Sequence, residues 1–241
     1  MPINAVKNHY LALADMQKEI VKNCLDNSDY LAILTKSHNV ISDMSKISEL
    51  MNGLSEQECV KLAISEAQYA LYAATSGDYR HAFGGLRLAF EFLLSAIYFS
   101  GHEIYFWHWK RGFRDIGFKG LVDNDKGIFS QLFLSSFSEE MREAAKQYKV
   151  LTETTYRECS EYVHGNPNTH YLNASDLEFN DLCFRQWHQH LDTIYLSFLF
   201  CFFARYELSL GSKIKVDLED QLLANLGHHK YIQDFFGEIA A

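Results

Sequence analysis

The sequence has very little proline. Pro2 and Pro167 are the only two, and the 164 residues between them contain none. Proline is common in the turns of all-β proteins, and it removes a hydrogen bond from any helix that it interrupts. Its scarcity therefore argues against a β-sandwich with many turns and favours long helices. With 48% hydrophobic and 22% charged residues, the 241-residue chain is also too apolar to be disordered.

Cysteine, basic charge and long apolar runs are scarce as well. The five cysteines lack any C-x-x-C spacing, which argues against a zinc ribbon or a disulfide framework and favours a reducing cytoplasm. The net charge of −9 gives no protein-wide attraction to nucleic acid or to anionic membranes. The longest apolar run, Ile194–Ala204, is shorter than the ~20 residues that span a bilayer, and the N-terminus does not resemble a secretory signal. We expect a cytoplasmic protein with no membrane partner.

Apolar residues recur at helical spacing through most of the chain, which predicts an all-α, up-and-down helical bundle. Helices are expected over residues 4–25 and 29–51, from capping boxes at Ser55–Glu58 and Ser175–Glu178, after Asp78, from Ser138 to Val163, and around 218–226. Gly84 and Gly85 on the fourth helix would let a neighbouring helix approach closely. The predicted units are an N-terminal helical extension (1–53), a bundle (54–210) with an aromatic and basic insertion (101–130), and a C-terminal tail (211–241).

Two motifs that suggest a metal fail on geometry. His188 and His190 are two residues apart on a predicted helix, so their imidazoles point about 200° apart around its axis and cannot share a metal. The segment Asp123–Gly127 resembles the start of a calcium loop, but its glycine comes one position early and position twelve would be Leu134. We interpret it as a turn. Phosphate-binding, dinucleotide-binding and hydrolase motifs do not occur in the sequence, so no cofactor and no metal are expected.

One pair of residues suggests chemistry. Arg157 and His164 are seven residues apart at the end of the helix that begins at Ser138, so both side chains share one face, opposite the buried face around Tyr148. A simpler explanation is that cations in the last turns of a helix complement its negative end.

The segment Tyr162-Val163-His164-Gly165, with Arg157 before it, resembles the Arg-x6-His motif of the HEPN domain family, over roughly residues 55–209. The resemblance implies a helical, homodimeric, metal-independent endoribonuclease that leaves a 2′,3′-cyclic phosphate. Arg157 would bind the phosphate and His164 would act as general acid and base. It also implies a toxin-like effector in antiviral defence or in a toxin–antitoxin system, with RNA as substrate and an antitoxin or sensor protein as a further partner.

Supporting roles are predicted for several polar residues. Glu161 could pair with Arg157, and Glu158 could reach a partner chain, although solvated positions explain both. Arg87 and Glu91 form either an ordinary i,i+4 contact or a partly buried pair that orients the site. The residues that follow His164 could contact RNA or could be ordinary loop polarity; they are Asn166, Asn168 and His170.

Three alternatives stay open at this stage. The segment Trp107–Lys119 offers aromatic planes and positive charge for single-stranded RNA, or it is a surface insertion packed on its own aromatic rings. The HEPN family usually has Asn, Asp or His after the arginine, whereas this chain has Glu158, which favours a catalytically silent adaptor that binds a partner protein. A third hypothesis is a small-molecule sensor with the aromatic segment as its pocket.

Overall fold

The fold consists of helices. A computed structural model describes residues 3–164, 169 and 178–237. Within these ranges every regular element is helical, which confirms the all-α prediction. The elements are α1 (Ile3–Asp26), α2 (Ser28–Leu50), α3 (Gln57–Thr75), α4 (Tyr79–Gly101), α5 (Glu103–Lys110), α6 (Phe118–Leu121), α7 (Gln131–Phe137), a 3-10 turn (Glu139–Met141), α8 (Arg142–Val163), α9 (Asp181–Asp217), α10 (Glu219–Leu226) and α11 (Lys230–Gly237).

The centre of the bundle is α9, which contacts α2, α4 and α8. Every side chain from Ser197 to Ala204 is buried, so this part of α9 has no solvent-facing side. A helix that is covered all round can be apolar all round, which explains why this stretch of the sequence is almost entirely apolar. Near its start, the indole N–H of Trp187 donates a 2.9 Å hydrogen bond to the carbonyl of Ala82 on α4.

α3 and α4 form a tight helical hairpin. The connection turns at Gly77, whose φ of +82° is a left-handed conformation that favours glycine. Along the pair, a Cβ atom at Gly85 would lie 3.1 Å from the Cβ of Ala70, closer than side chains normally pack. The predicted close approach of a neighbouring helix is therefore confirmed at Gly85.

Three predicted helix starts differ from the structure. Ser55 forms no capping box, because the N-cap of α3 is Glu56 and its first amides bond to backbone carbonyls instead. The helix expected from Ser138 begins as a 3-10 turn and becomes α-helical only at Arg142. α9 begins after Glu178, with the Asn180 side chain accepting from the amide of Cys183 at 3.0 Å. Asp78 caps α4 as expected, through the amide of His81.

The bundle extends beyond residues 54–210. α2 contributes buried side chains that include Met44 and Ile47, and α9 continues unbroken past residue 210 to Asp217. α4 and α9 are long and apolar enough to cross a membrane by length and composition. In the most apolar window of each, 67% of the residues are buried inside the protein, and a core helix of a soluble protein passes the same test.

Candidate functional site

The end of α8 carries both residues of the predicted catalytic pair. The inner face of the helix is buried against the bundle, and Arg157 and His164 lie outside it, exposed to solvent. Seven residues correspond to about 10 Å along the axis and a rotation of only about 20°. The inner face consists of Ala145, Tyr148, Thr152, Thr155, Cys159 and Tyr162. The chain therefore presents a guanidinium and an imidazole on one accessible face, two helical turns apart.

Neither side chain is engaged within the part of the chain that the structure describes. Arg157 and His164 make no ion pair and no side-chain hydrogen bond there. His164 is the C-cap of α8: its amide donates to the carbonyl of Ser160 at 3.0 Å, and its own backbone leaves the helical conformation. Within the described residues both groups are therefore available to an anion, and the guanidinium of Arg157 suits a phosphate because it can donate two parallel N–H bonds.

Arg87 and Glu91 form a partly buried pair on α4 that meets Tyr156, the residue before Arg157. The Tyr156 hydroxyl donates to Glu91 Oε1 at 2.5 Å, while Arg87 Nη2 donates to the Tyr156 oxygen at 2.6 Å and to Glu91 at 3.2 Å. Phe118 stacks on the Tyr156 ring at 3.6 Å. Burial, together with the hydrogen bond to Glu91, raises the pKa of Tyr156, so the phenol keeps its proton. Arg87 and Glu91 thus hold the end of α8 against α4.

Glu158 and Glu161 do not join Arg157. Glu158 Oε2 lies 3.0 Å from Nε2 of His190 on α9, and the other ring nitrogen of His190 lies 2.6 Å from the carbonyl of Gln186. Glu158 therefore ties α8 to α9 within the chain. Glu161 makes no ion pair with Arg157 in the described structure, and its backbone carbonyl accepts from the Thr169 hydroxyl at 3.1 Å.

The loop after His164 is largely outside the described residues. Asn166, Asn168 and His170 all fall there, so their predicted RNA contacts stay predictions.

The histidine pair and the calcium-like segment have structural explanations. His188 is buried with Nδ1 2.5 Å from the Ser37 hydroxyl, and burial lowers its pKa to about 4, whereas His190 bonds to Glu158. The two imidazoles therefore bond to different partners, His188 to Ser37 and His190 to Glu158. Asp123 caps a turn by accepting from the amides of Asp125 and Lys126, each at 2.9 Å. Among the described residues, no group of three His, Cys, Asp or Glu side chains is placed to hold a metal.

The buried side of the aromatic segment packs against α4. Trp109 stacks on Phe99 with ring centroids 5.8 Å apart, and Phe106 is buried. The cavity enclosed near these rings has a volume of about 20 Å³, which suits a single water molecule and is too small for a metabolite. Trp107 and Phe113 stay exposed, at 43% and 73%. A sensor that used this segment would need a larger pocket than this cavity.

Two features of α8 were missed by the sequence predictions. The role of Tyr156 depends on a contact with α4 that no local pattern encodes. The basic residues Arg142, Lys146 and Lys149 lie on the same side of α8 as Arg157 and His164, and their helical spacing from Arg157 is readable in the sequence. Apolar periodicity does not reveal this alignment, whereas the same periodicity test applied to charge does.

The chain was compared with protein-family models, with curated proteins and with solved structures, and nothing matches. The functional interpretation therefore depends on the geometry of α8 and its neighbours.

Proposed function

We propose that the protein is a metal-independent endoribonuclease of the HEPN type that cleaves RNA to a 2′,3′-cyclic phosphate. One observation carries the proposal: Arg157 and His164 are exposed, unengaged within the described residues and aligned on one face at the end of a long helix. Neighbouring polar side chains, among them Tyr156 and Glu158, already have partners within the bundle. The pair is therefore available for a ligand.

The chemistry requires one base, one acid and one positive group. The ribose 2′-oxygen attacks the phosphorus and loses its proton to a base, while the bond to the 5′-oxygen breaks and that oxygen receives a proton from an acid. An imidazole has an ordinary pKa near 6.5, so it serves either role at neutral pH. The guanidinium of Arg157 would stabilise the charge that develops on the phosphate.

The reaction favours two copies of the chain. Within the described residues, one copy offers the imidazole of His164 at this face, whereas base and acid are two roles on opposite sides of the phosphorus. Two copies facing each other across a cleft would supply two histidines and two arginines. We therefore propose a homodimer with one composite site. If light scattering finds only monomers under conditions in which RNA is cleaved, the composite site is wrong.

The first test is cleavage of end-labelled single-stranded RNA in excess chelator. Arg157→Ala and His164→Ala should each lower the cleavage rate by about 10²-fold or more, whereas the matched controls Arg80→Ala and His38→Ala, at exposed positions elsewhere, should cleave like the wild type. The products should carry a 2′,3′-cyclic phosphate. Cleavage that persists in both site variants, or that needs added metal, would contradict the assignment.

We also propose a toxin-like role in the cytoplasm, in antiviral defence or in a toxin–antitoxin system. The net charge of −9 disfavours binding to bulk RNA, which suits an enzyme that a trigger or an inhibitor controls. Induced expression should stop growth, and His164→Ala should relieve that arrest at equal protein levels. Equal toxicity of the two proteins would separate the growth effect from the proposed chemistry.

A second candidate is a helical adaptor without activity, and α1 favours it. Among its 24 residues only Cys24 is buried, while Ile3, Tyr10 and Leu11 are 86%, 66% and 53% exposed. Such an apolar face suits an amphipathic helix of a partner protein, for example an antitoxin or a sensor. Absence of cleavage under all conditions, with Arg157 and His164 intact, would favour the adaptor.

A further inference from the structure

Basic residues form a stripe along the outer side of α8. At 3.6 residues per turn, the members fall within about 80° of the helix circumference and span about 33 Å along the axis. We call this set the cationic stripe; it consists of Arg142, Lys146, Lys149, Arg157 and His164. Its last two members are the proposed catalytic pair, so the stripe leads from the start of α8 to the site.

The charges of α8 are segregated around the helix. Measured around the helix from Arg157, Lys146 and Lys149 lie about 20° and 80° to one side, whereas Glu143, Glu161 and Glu158 lie about 40°, 40° and 100° to the other. Glu153 is the one acidic residue of α8 within the stripe, and its carboxylate lies 3.8 Å from Lys149. A solvated helix that needs only local ion pairs would intersperse the two signs. In a chain with a net charge of −9, a basic stripe of this length points to an anionic partner.

A groove borders the first half of the stripe. It has a volume of about 420 Å³ and lies between α8 and the segment before α7. Lys146 is exposed and makes no ion pair among the described residues, and Lys149 donates to Asn124 at 2.6 Å. Arg142 is paired with Glu139 on the rim at 2.7 Å. The lining residues are Asn124, Phe129, Gln131, Arg142, Ala145, Lys146 and Lys149. They offer ammonium, guanidinium and amide donors, the groups that bind phosphate oxygens.

We propose that this groove binds the sugar-phosphate backbone of the single-stranded RNA whose cleaved bond lies at Arg157 and His164. This inference rests on the proposed function, because the cleaved bond at Arg157 and His164 sets the position of the RNA strand along the stripe. Lys146 is about 16 Å from Arg157 along the axis, or about five nucleotides at 3.4 Å per stacked nucleotide. The whole stripe corresponds to about ten nucleotides. A single strand is the ligand because a positive groove that follows one backbone is the usual mode of single-strand binding.

The experiment measures binding without cleavage. Fluorescence anisotropy of labelled RNA of 4 and of 12 nucleotides would be recorded in the His164→Ala background. The test variant adds Lys146→Gln and Lys149→Gln, and the matched control adds Lys18→Gln and Lys22→Gln, two exposed lysines four residues apart on α1. Circular dichroism and thermal unfolding verify that each variant folds. If Lys149→Gln perturbs the turn at Asn124, the single change Lys146→Glu, at an exposed residue, is used in place of the double variant.

We expect the test variant to lose RNA affinity in a way that depends on the length of the RNA and on the salt concentration. For the 12-nucleotide RNA the test variant should bind about tenfold more weakly than the control, because each solvent-exposed charge contact is worth at most about fivefold and two lysines are changed. The slope of log affinity against log salt should fall by about 0.7 for each phosphate that a lysine no longer neutralises, about 1.4 in total. The advantage of 12 over 4 nucleotides should shrink in the test variant only.

Each contrary outcome has a distinct meaning. Equal affinity and equal salt slope in test and control variants would overturn the groove, whatever the cleavage assay shows. If the test variant loses binding while wild-type protein never cleaves RNA, the groove stands and the proposed catalysis fails. If ATP at equal phosphate concentration displaces the labelled RNA completely, the groove binds a free phosphate compound and the proposed RNA strand is wrong. Stronger displacement by polyglutamate than by RNA would overturn it in favour of an acidic protein.

Discussion

The tyrosines of α8 that face the bundle and the Arg157–His164 pair on its outer face differ in their hydrogen-bond partners. On the inner side the tyrosine hydroxyls have partners in the bundle: Tyr148 with His229 at 2.9 Å, Tyr156 with Glu91 at 2.5 Å, and Tyr162 with Gln186 at 3.4 Å. On the outer side, Arg157 and His164 have none among the described residues. Burial requires satisfied polar groups, whereas solvent does not. One helix can therefore be held by one face and present chemistry on the other.

The largest expected difference between the faces is in catalysis. His164→Ala should lower the rate of RNA cleavage by about 10²–10⁴-fold, because general acid–base catalysis contributes that much. The same change should alter the free energy of unfolding by no more than about 0.5 kcal/mol, since His164 is exposed. Cleavage kinetics and urea unfolding check the two parts. A loss of stability that parallels the loss of rate would show that the residue is structural.

At Tyr162, two residues before His164, we expect a large effect on stability instead. Tyr162 is buried and stacks on Phe83 with ring centroids 3.8 Å apart. Tyr162→Ala removes an aromatic ring from a packed position and should lower the free energy of unfolding by about 3–5 kcal/mol, as large-to-small core changes do. Urea unfolding measures this, with His164→Ala as the matched outer-face variant. Equal stabilities of the two variants would contradict the assignment of faces.

The sequence could predict the faces of α8 but not the contacts between helices. Periodicity over 22 residues suffices to place Arg157 and His164 together, because an α-helix fixes rotation per residue. The pairing of Glu158 with His190 requires α9 to pack beside α8, and local spacing carries no information about that. The capping box predicted at Ser55 is wrong for a different reason: backbone carbonyls accept from the first amides of α3, so the serine hydroxyl is not needed there.

A buried acid on α9 should make the stability of the protein depend on pH. Glu207 is 5% exposed, and burial raises its pKa from 4.5 to about 7. Because the folded state holds this proton more tightly than the unfolded state, the stabilisation is complete below pH 4.5 and is lost as the pH rises to 7. The loss should be on the order of 3 kcal/mol.

The measurement is the free energy of unfolding of the wild type and of Glu207→Gln between pH 4.5 and 7, compared as a difference at each pH. His188 acts with the opposite sign, since its pKa is lowered to about 4 and its contribution is lost as the pH falls below 6.5. It is present in both proteins and cancels. The glutamine variant should gain stability relative to wild type as the pH rises from 4.5 to 7. A constant difference over that range would mean that Glu207 does not titrate there.

The smallest expected effect concerns the hydroxyl of Tyr156. Tyr156→Phe keeps the ring that stacks on Phe118 and removes the group that bridges Arg87 and Glu91. The loss of a hydrogen bond to a charged group should cost about 1.5–3 kcal/mol at most, and less here, because Arg87 and Glu91 still pair at 3.2 Å. We expect about 1 kcal/mol by urea unfolding. The matched change Tyr69→Phe, at a tyrosine that is 71% exposed on α3, should leave stability unchanged. Since Tyr156 precedes Arg157, a fall in cleavage rate at unchanged stability would mean instead that the hydroxyl orients the catalytic face.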